Sequence, residues 1–364
     1  MSEKTRLAVA GYGLVGKRHV ETLLRTPETE LAAIVEPNEG TRVQAQKLGV
    51  ACYESLSQLF EAGIPDGVIL ATPTPLHVEQ GLECIENRCP LLVEKPIAVT
   101  SAEARHLVDA ADRAGVPMLI GHHRRHNPII RSVKAALDAG SIGDIRAVQA
   151  TCWFYKPDSY FEAAPWRKRK GAGPVSVNLV HDVDLLRHFC GDVIRVRAVS
   201  TPSVREFENE DLSAAILEFA SGAVATLTVS DSIASPWSWE LTARENPAYP
   251  ATNQSCYLIG GSKGSLSIPD LRIWHHLQDP DWWSPISAMT LLADAQDPLV
   301  SQVLHFSEVI KGQTKCLVPG EEGLRSLQVI EAIEKASNSL LPVEIENFQV
   351  LSPNEAQQEI VAIG

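Results

Sequence analysis

The sequence predicts an α/β chain: a dinucleotide-binding domain on a parallel sheet, then an α+β domain with a mainly antiparallel sheet. Three observations predict it. A glycine-rich turn, Gly11-Tyr12-Gly13-Leu14-Val15-Gly16, stands directly between the first apolar strand and the first helix. Apolar strands and amphipathic helices then alternate as far as Gly121, the rhythm of a parallel sheet covered on both faces. From about residue 147 short strands follow one another through short connections.

Size and charge narrow the function. At 364 residues the chain exceeds one ordinary domain, so two domains sharing a cleft are expected. A formal net charge of −13 argues against nucleic acid or an anionic membrane as partner. No apolar run approaches the roughly 18 residues of a membrane span, and Met1-Ser2-Glu3-Lys4 leads straight into a strand. Neither a signal peptide nor a membrane anchor is expected. The 7 cysteines are scattered without metal or redox spacing, as in a reduced cytoplasmic protein.

Arg6 to Ala10 forms the first strand, and a helix is expected from near Lys17. The glycines between permit a tight turn and let backbone N–H groups approach a pyrophosphate. The second strand, Leu31 to Val35, ends on Glu36, the position at which a dinucleotide fold holds the adenosine ribose. A carboxylate there accepts hydrogen bonds from ribose hydroxyls and repels a 2′-phosphate, favouring NAD over NADP; Arg42 is close enough to blunt that preference. Helix 41–48, a strand near Ala51-Cys52 and helix 55–62 continue the alternation. The strand Gly67 to Ala71 meets Thr72-Pro73-Thr74-Pro75-Leu76-His77, with Thr74 as N-cap. His77 is expected either to touch the cofactor or to face solvent. Helix 77–88 then leads to Leu91-Leu92-Val93-Glu94-Lys95-Pro96. Its apolar run reads as the end of a doubly buried strand. Pro96 keeps Lys95 extended, at the carboxyl edge where open α/β sheets bind ligands. Helix 101–114 and a sixth strand, Val116 to Gly121, complete a domain expected to span 1–124.

The run His122-His123-Arg124-Arg125-His126-Asn127-Pro128 is too charged for chance at a domain edge. It could serve the cofactor phosphates, the cleft or the interdomain joint. A metal site is not expected, because no carboxylate or cysteine cluster accompanies the histidines. In the second domain, 125–364, strands are expected at 147–154, 193–201, 212–220, 223–231, 236–244, 256–260, 264–268 and 271–275. Ser221-Gly222 marks a hairpin, 156–174 and 245–254 read as loops, and helices 301–311 and 321–338 should pack back on one domain. The basic loop Trp166-Arg167-Lys168-Arg169-Lys170-Gly171-Ala172-Gly173-Pro174 precedes a run with helical apolar spacing at Leu179, Val180, Val183, Leu186 and Phe189. Asn178, His181 and Asp182 fall within one turn of each other, so two of them can share a face. A satisfied core histidine is the plain reading of His181; the glycine turn and Lys95 make it a candidate for chemistry.

Five features make the chain resemble the glucose–fructose oxidoreductase, inositol dehydrogenase and rhizopine-catabolism (Gfo/Idh/MocA) oxidoreductase family. They are the GYGLVG turn, ATPTPLH, Glu94-Lys95-Pro96, the Trp166-Arg167 loop and His181-Asp182-Val183-Asp184. The resemblance runs through Ile259-Gly260-Gly261-Ser262-Lys263-Gly264-Ser265 to the closing helices. It implies a Rossmann domain and a second domain whose large open sheet forms the interface of a homodimer or homotetramer. It also implies reversible hydride transfer between nicotinamide and a hydroxyl carbon of a sugar, inositol or related polyol. Lys95 matches the family's catalytic lysine and His181 its catalytic histidine. The cofactor set is then Gly11 to Gly16, Glu36, Thr72, Pro73, His77, Glu94 and Lys95; the substrate set is Lys95, Arg124, Trp166, Arg167, Asn178 and His181. His181 would act as base and Lys95 would stabilise charge on the reacting oxygen. One departure stands out. Many relatives carry an aspartate four residues before the histidine, where this chain has Val177, so Asn178 is expected to bind substrate hydroxyls instead. Two rivals remain: a non-catalytic sugar- and NAD-binding regulator, and a hydrolase that recycles its hydride on NAD.

Overall fold

The computed structural model describes residues 4–278 and 280–345. Its N-terminal part alternates β1 (Thr5–Ala10), α1 (Leu14–Arg25), β2 (Thr29–Val35), α2 (Glu39–Gln46), β3 (Ala51–Tyr53), α3 (Leu56–Ala62), β4 (Gly67–Leu70), α4 (His77–Glu86), β5 (Leu91–Val93), α5 (Ser101–Ala114) and β6 (Met118–Ile120). The strands are parallel in the order β3-β2-β1-β4-β5-β6. β4 and β5 are buried throughout, as their unbroken apolar runs require. Local chemistry starts the helices. Asn38 caps α2 on the Thr41 amide, Ser55 caps α3, and Thr100 and Glu103 form a capping box on α5. α1 begins at Leu14 rather than near Lys17, because Gly13 itself occupies the N-cap. The strand order reverses between β1 and β4, and there the residues after both strands meet.

The second part contains α6 (Pro128–Asp138), β7 (Ile145–Trp153), α7 (Asp158–Glu162), α8 (Val180–Cys190), β8 (Val193–Pro202), β9 (Glu210–Phe219), β10 (Val224–Ser230) and α9 (Trp239–Thr242). β11 (Tyr257–Gly261), β12 (Ser265–Ile268), β13 (Arg272–His276), β14 (Ile286–Thr290), α10 (Pro298–Ile310), α11 (Gly320–Ser339) and β15 (Val343–Glu344) follow. The sheet order is β14-β13-β12-β11-β7-β10-β9-β8-β15. All neighbours are antiparallel except β7 and β10, whose long connection through α8 permits a parallel crossover.

The strand expected at 236–244 does not form. Ser238 caps the short α9 on the Leu241 amide and Trp239 is buried, so the aromatic residues pack from a helical turn. α6, α7, β14 and β15 add to the expected elements, and a π-helical turn at 175–179 precedes α8. Residues 346–364 of the expected second domain lie outside the described residues.

Two apolar cores result. Val303 and Phe306 of α10, with Val318, Leu324 and Leu327, join the core of the parallel sheet. Val329, Ile330, Ile333 and Ala336 of α11 join the other. The last long helix therefore serves both cores rather than one, because its apolar residues change face along its length. On the larger sheet Val148, Leu217, Ala225, Leu227 and Ile259 are buried beneath helices, while Gln149, Ile216, Val224, Thr226 and Leu258 are exposed on the opposite face. Among the described residues, no helix is long and apolar enough to cross a membrane.

Candidate active site

The carboxyl edge of the parallel sheet collects the predicted cofactor residues. Gly11 has φ +89°, and a Cβ there would stand 2.6 Å from the Ala71 carbonyl oxygen. A Cβ on Gly16 would lie 1.9 Å from the Gly11 carbonyl oxygen. These two glycines are required by close backbone approach alone. Gly13 has nothing within 4 Å of such a Cβ, which leaves space over the start of α1 for a pyrophosphate. Leu14, Val15 and Pro73 turn outward. Glu36 Oε2 accepts from the Tyr12 amide and Oε1 from the Asn38 amide, both at 2.9 Å. Its carboxylate is thus pinned where a ribose belongs. Arg42 donates to the Glu36 and Pro37 carbonyls at 2.7 and 2.9 Å, so the loop backbone engages its guanidinium. The open space at Gly13 and the fixed acid fit an NAD bound across this edge.

His77 takes neither of its expected orientations. The ring is buried, with Nε2 2.9 Å from the Thr72 carbonyl and Nδ1 3.0 Å from the Pro96 carbonyl. It ties the loop after β4 to the loop after β5, while the Thr72 hydroxyl donates to Gln80 at 2.6 Å. Glu94 lies 2.7 Å from His19 Nε2. Burial alone would raise its pKa. The hydrogen bond from His19 and the electrostatic influence of His19, His123 and Lys95 instead bring it down to about 2.

Lys95 precedes a cis Pro96 and sends its Nζ across the cleft to donate to the Val177 carbonyl at 3.2 Å. Burial, reinforced by Arg124 and Lys156 and only partly opposed by Glu94, lowers its pKa to about 8. Val177 thus contributes a backbone acceptor from the π-helical turn. One turn later His181 is buried, with His123 and His122 edge-on at 5.3 and 6.3 Å and no partner on Nδ1. Burial first, then the charges of Lys95 and Arg124, holds His181 well below the usual imidazole range.

The basic run after β6 builds the interdomain joint. Arg124 Nη1 donates to Asp182 at 3.1 Å and Nη2 to Glu240 at 2.9 Å; the Tyr257 hydroxyl also donates to Asp182. Burial nevertheless raises the Asp182 pKa to about 6. Arg125 grips Asp184 through Nε and Nη2 at 2.9 and 2.7 Å. Adjacent arginines therefore clamp two acids of the helix that carries His181. Arg124, expected at the substrate, has both Nη groups engaged in this clamp. His123 lies 2.8 Å from Glu245, which also accepts from Asn127 and the Trp239 indole.

On the outer wall Trp166 is exposed, and the Arg167 guanidinium stacks 3.9 Å from the Tyr160 ring centroid. Asn178 is buried with Oδ1 unpartnered. Sequence reasoning passed over Glu240, hidden in the supposed strand, and Lys156 with Asp231. Lys156 did carry a signal: like Lys95, it is a lysine just past a mostly apolar strand. Buried polar atoms without partners gather in this region: Arg124 Nε, Lys156 Nζ, Arg167 Nε, Asn178 Oδ1, His181 Nδ1, Asp182 Oδ2 and Glu240 Oε2. Such atoms are normally satisfied by protein, water or a ligand. Among the described residues, no group of three or more His, Cys, Asp or Glu side chains is placed to hold a metal.

Residues 5–122 match the model of an oxidoreductase family with an NAD-binding Rossmann fold, and residues 130–267 match the Gfo/Idh/MocA C-terminal domain. The chain belongs to this oxidoreductase family. Like other members it pairs an NAD-binding Rossmann domain with a large, mostly antiparallel sheet. It is 32% identical over 186 residues to the rhizopine catabolism protein MocA of Rhizobium meliloti, covering 51% of this chain and 57% of that one. It is 25% identical over 361 residues to the NAD-dependent scyllo-inositol 2-dehydrogenase of Bacillus subtilis, covering 95% and 98%. The WlbA dehydrogenase of Bordetella pertussis, solved with NADH and UDP-GlcNAcA, superposes with a TM-score of 0.76 at 24% identity, covering 95% and 100%.

Proposed function

We propose that this family member is an NAD-dependent dehydrogenase that oxidises a secondary alcohol of a sugar, inositol or related polyol. The division of labour runs near 1–124 for the cofactor and 125–364 for substrate and assembly. The observation that carries the reading is the convergence of Lys95 and His181: the Lys95 ammonium reaches the Val177 carbonyl, and its charge acts on His181. Bound NAD supplies the acceptor for the hydride that leaves the carbinol carbon. Lys95 donates a hydrogen bond to the reacting oxygen and holds its developing negative charge in a site sheltered from water. His181, neutral at rest, accepts the hydroxyl proton. The Val177 carbonyl aims the ammonium, and Asn178 offers hydrogen bonds to neighbouring hydroxyls. The Arg124–Asp182 and Arg125–Asp184 pairs set the distance between the two halves.

The uncovered sheet face around Ile216, Val224 and Leu258 supports a homodimer or homotetramer, and the scattered cysteines a cytoplasmic setting. Light scattering at micromolar concentration should give a dimer or tetramer, and a monomer would discard that interface. The activity test is a screen of purified protein with NAD and a panel of sugars, inositols and sugar acids, read at the reduced-nicotinamide absorbance band. Turnover that vanishes in Lys95→Ala and His181→Ala is the expected result. Persistent NAD binding with no turnover of any alcohol would sink the proposal.

A further inference from the structure

Lys156 is placed unlike any other cation in the cleft. It follows β7, its backbone amide donates to the Asp231 carbonyl at 2.9 Å, and it is buried at 5% exposure. Yet its Nζ makes no hydrogen bond. Its ion pair with Asp231 Oδ2 is long, at 3.6 Å. Asp231 is already held by Arg205, which donates to Oδ1 and to the Asp231 carbonyl, both at 3.0 Å. The nearby Asp211 turns Oδ2 onto the Val204 amide. Arg167 pairs with no carboxylate among the described residues; Nη1 donates to the Tyr160 carbonyl at 2.7 Å and Nε is unpartnered.

Tyr160 joins these cations. The Lys156 Nζ stands 5.1 Å and the Arg167 guanidinium 3.9 Å from the centre of its ring. Lys156 and Arg205 thus share the Asp231 carboxylate, Arg205 also lies 3.8 Å from Asp158, and Arg167 adds a third cation with no carboxylate among the described residues. A buried ammonium whose one close carboxylate, Asp231, is also engaged by Arg205 is only partly compensated, and neutral hydroxyls offset the remaining cost less than an anion does. Lys156 also lies close enough to Lys95 for each wall's charge to be felt across the cleft, and Glu240 acts on both lysines. Glu240 lies farther from Lys156 than Asp231 does, and its Oε1 accepts from Arg124.

We infer that the substrate alcohol carries a carboxylate, received by Lys156 with Arg167 while Lys95 and His181 meet the reacting hydroxyl. The substrate class is then a sugar acid or similar hydroxy acid rather than a neutral polyol. This rests on the dehydrogenase reading above and narrows it. Lys156 is the specificity-determining residue.

The test compares matched pairs, D-glucose with D-glucuronate and D-galactose with D-galacturonate, plus D-gluconate, with NAD and the full chain. Binding to the NAD-loaded protein is measured by calorimetry beside kcat/KM. Wild type should prefer the acids in affinity and in kcat/KM. Lys156→Met should cut the acid-over-neutral ratio roughly 30-fold, the lower range for truncating one member of a buried charge pair. The loss should fall mainly in KM, and Lys156→Arg should restore most of the ratio. Melting temperature and NAD affinity of each variant report the fold. A wild type that favours the neutral sugars, or a Lys156→Met change that leaves the ratio intact, overturns the inference. In the first case turnover of the neutral sugars leaves the dehydrogenase reading standing. Acid binding to wild type that Lys156→Met abolishes, with no turnover of either class, would support the anion site and count against that reading.

Discussion

The two walls of the cleft differ in how far their polar atoms are already satisfied. On the cofactor wall Glu36 accepts from two backbone amides, Glu94 is braced by His19, both nitrogens of His77 face carbonyl oxygens, and His19 Nδ1 is the one orphan among these groups. On the opposite wall Lys156, Arg167, Asn178, His181, Asp182 and Glu240 each keep a buried atom without a partner. A satisfied wall holds its shape whether or not a ligand is present, which suits a cofactor shared across a family. An unsatisfied wall gains most when a particular ligand arrives, which suits selection among substrates. The interdomain clamp lets one wall be rigid while the other stays incomplete.

The largest expected effect strikes where the walls meet. Lys95→Ala and His181→Ala should each lower turnover by about 10² or more, the scale of a positioned acid–base group. NAD affinity, measured by fluorescence titration, should survive both changes; its loss would show that the walls are not independent. Next comes Gly16→Ala. Its new Cβ would meet the Gly11 carbonyl at 1.9 Å, and NAD affinity should fall at least tenfold, about 1.4 kcal/mol. Turnover at saturating NAD should change far less, and an equal loss there would contradict a purely cofactor-side role.

Glu36→Ser should narrow the preference for NAD over NADP by about tenfold, read as a ratio of dissociation constants. A native protein that binds NADP more tightly would reverse the role given to Glu36. Two pH effects follow with smaller expected size. Burial brings the Lys95 pKa down to about 8. If its ammonium holds the reacting oxygen, kcat/KM should decline above pH 8, and Lys95→Arg should push that limb upward. A profile flat through pH 9 would remove Lys95 from the chemical step. Glu94 and Glu245, both lowered from 4.5 to about 2, stabilise the fold fully above pH 4.5 and progressively less as pH falls toward 2. Melting temperature should therefore drop across that acid window, and Glu245→Gln should flatten part of the drop.

What the sequence by itself determined rests on near neighbours. The glycine turn, the alternation through β6, and Lys95 after its strand follow from periodicity and turn chemistry within a few residues, whereas Thr74, expected as an N-cap, lies inside a short 3-10 turn whose N-cap is Pro73. The resemblance to the family was legible for the same reason, since its motifs are local. Only the tertiary structure decided that Val177 serves through its carbonyl and that His77 links two loops. The same holds for Arg124, which clamps rather than reaches outward, and for α11, which bridges two cores. Lys156 facing Asp231, and Glu240 meeting Arg124, join residues 75 and 116 positions apart. No spacing rule brings such residues together. Their partnership exists because packing two apolar cores against one helix carries distant charges into one small, poorly hydrated space, where each must find a partner or wait for a ligand.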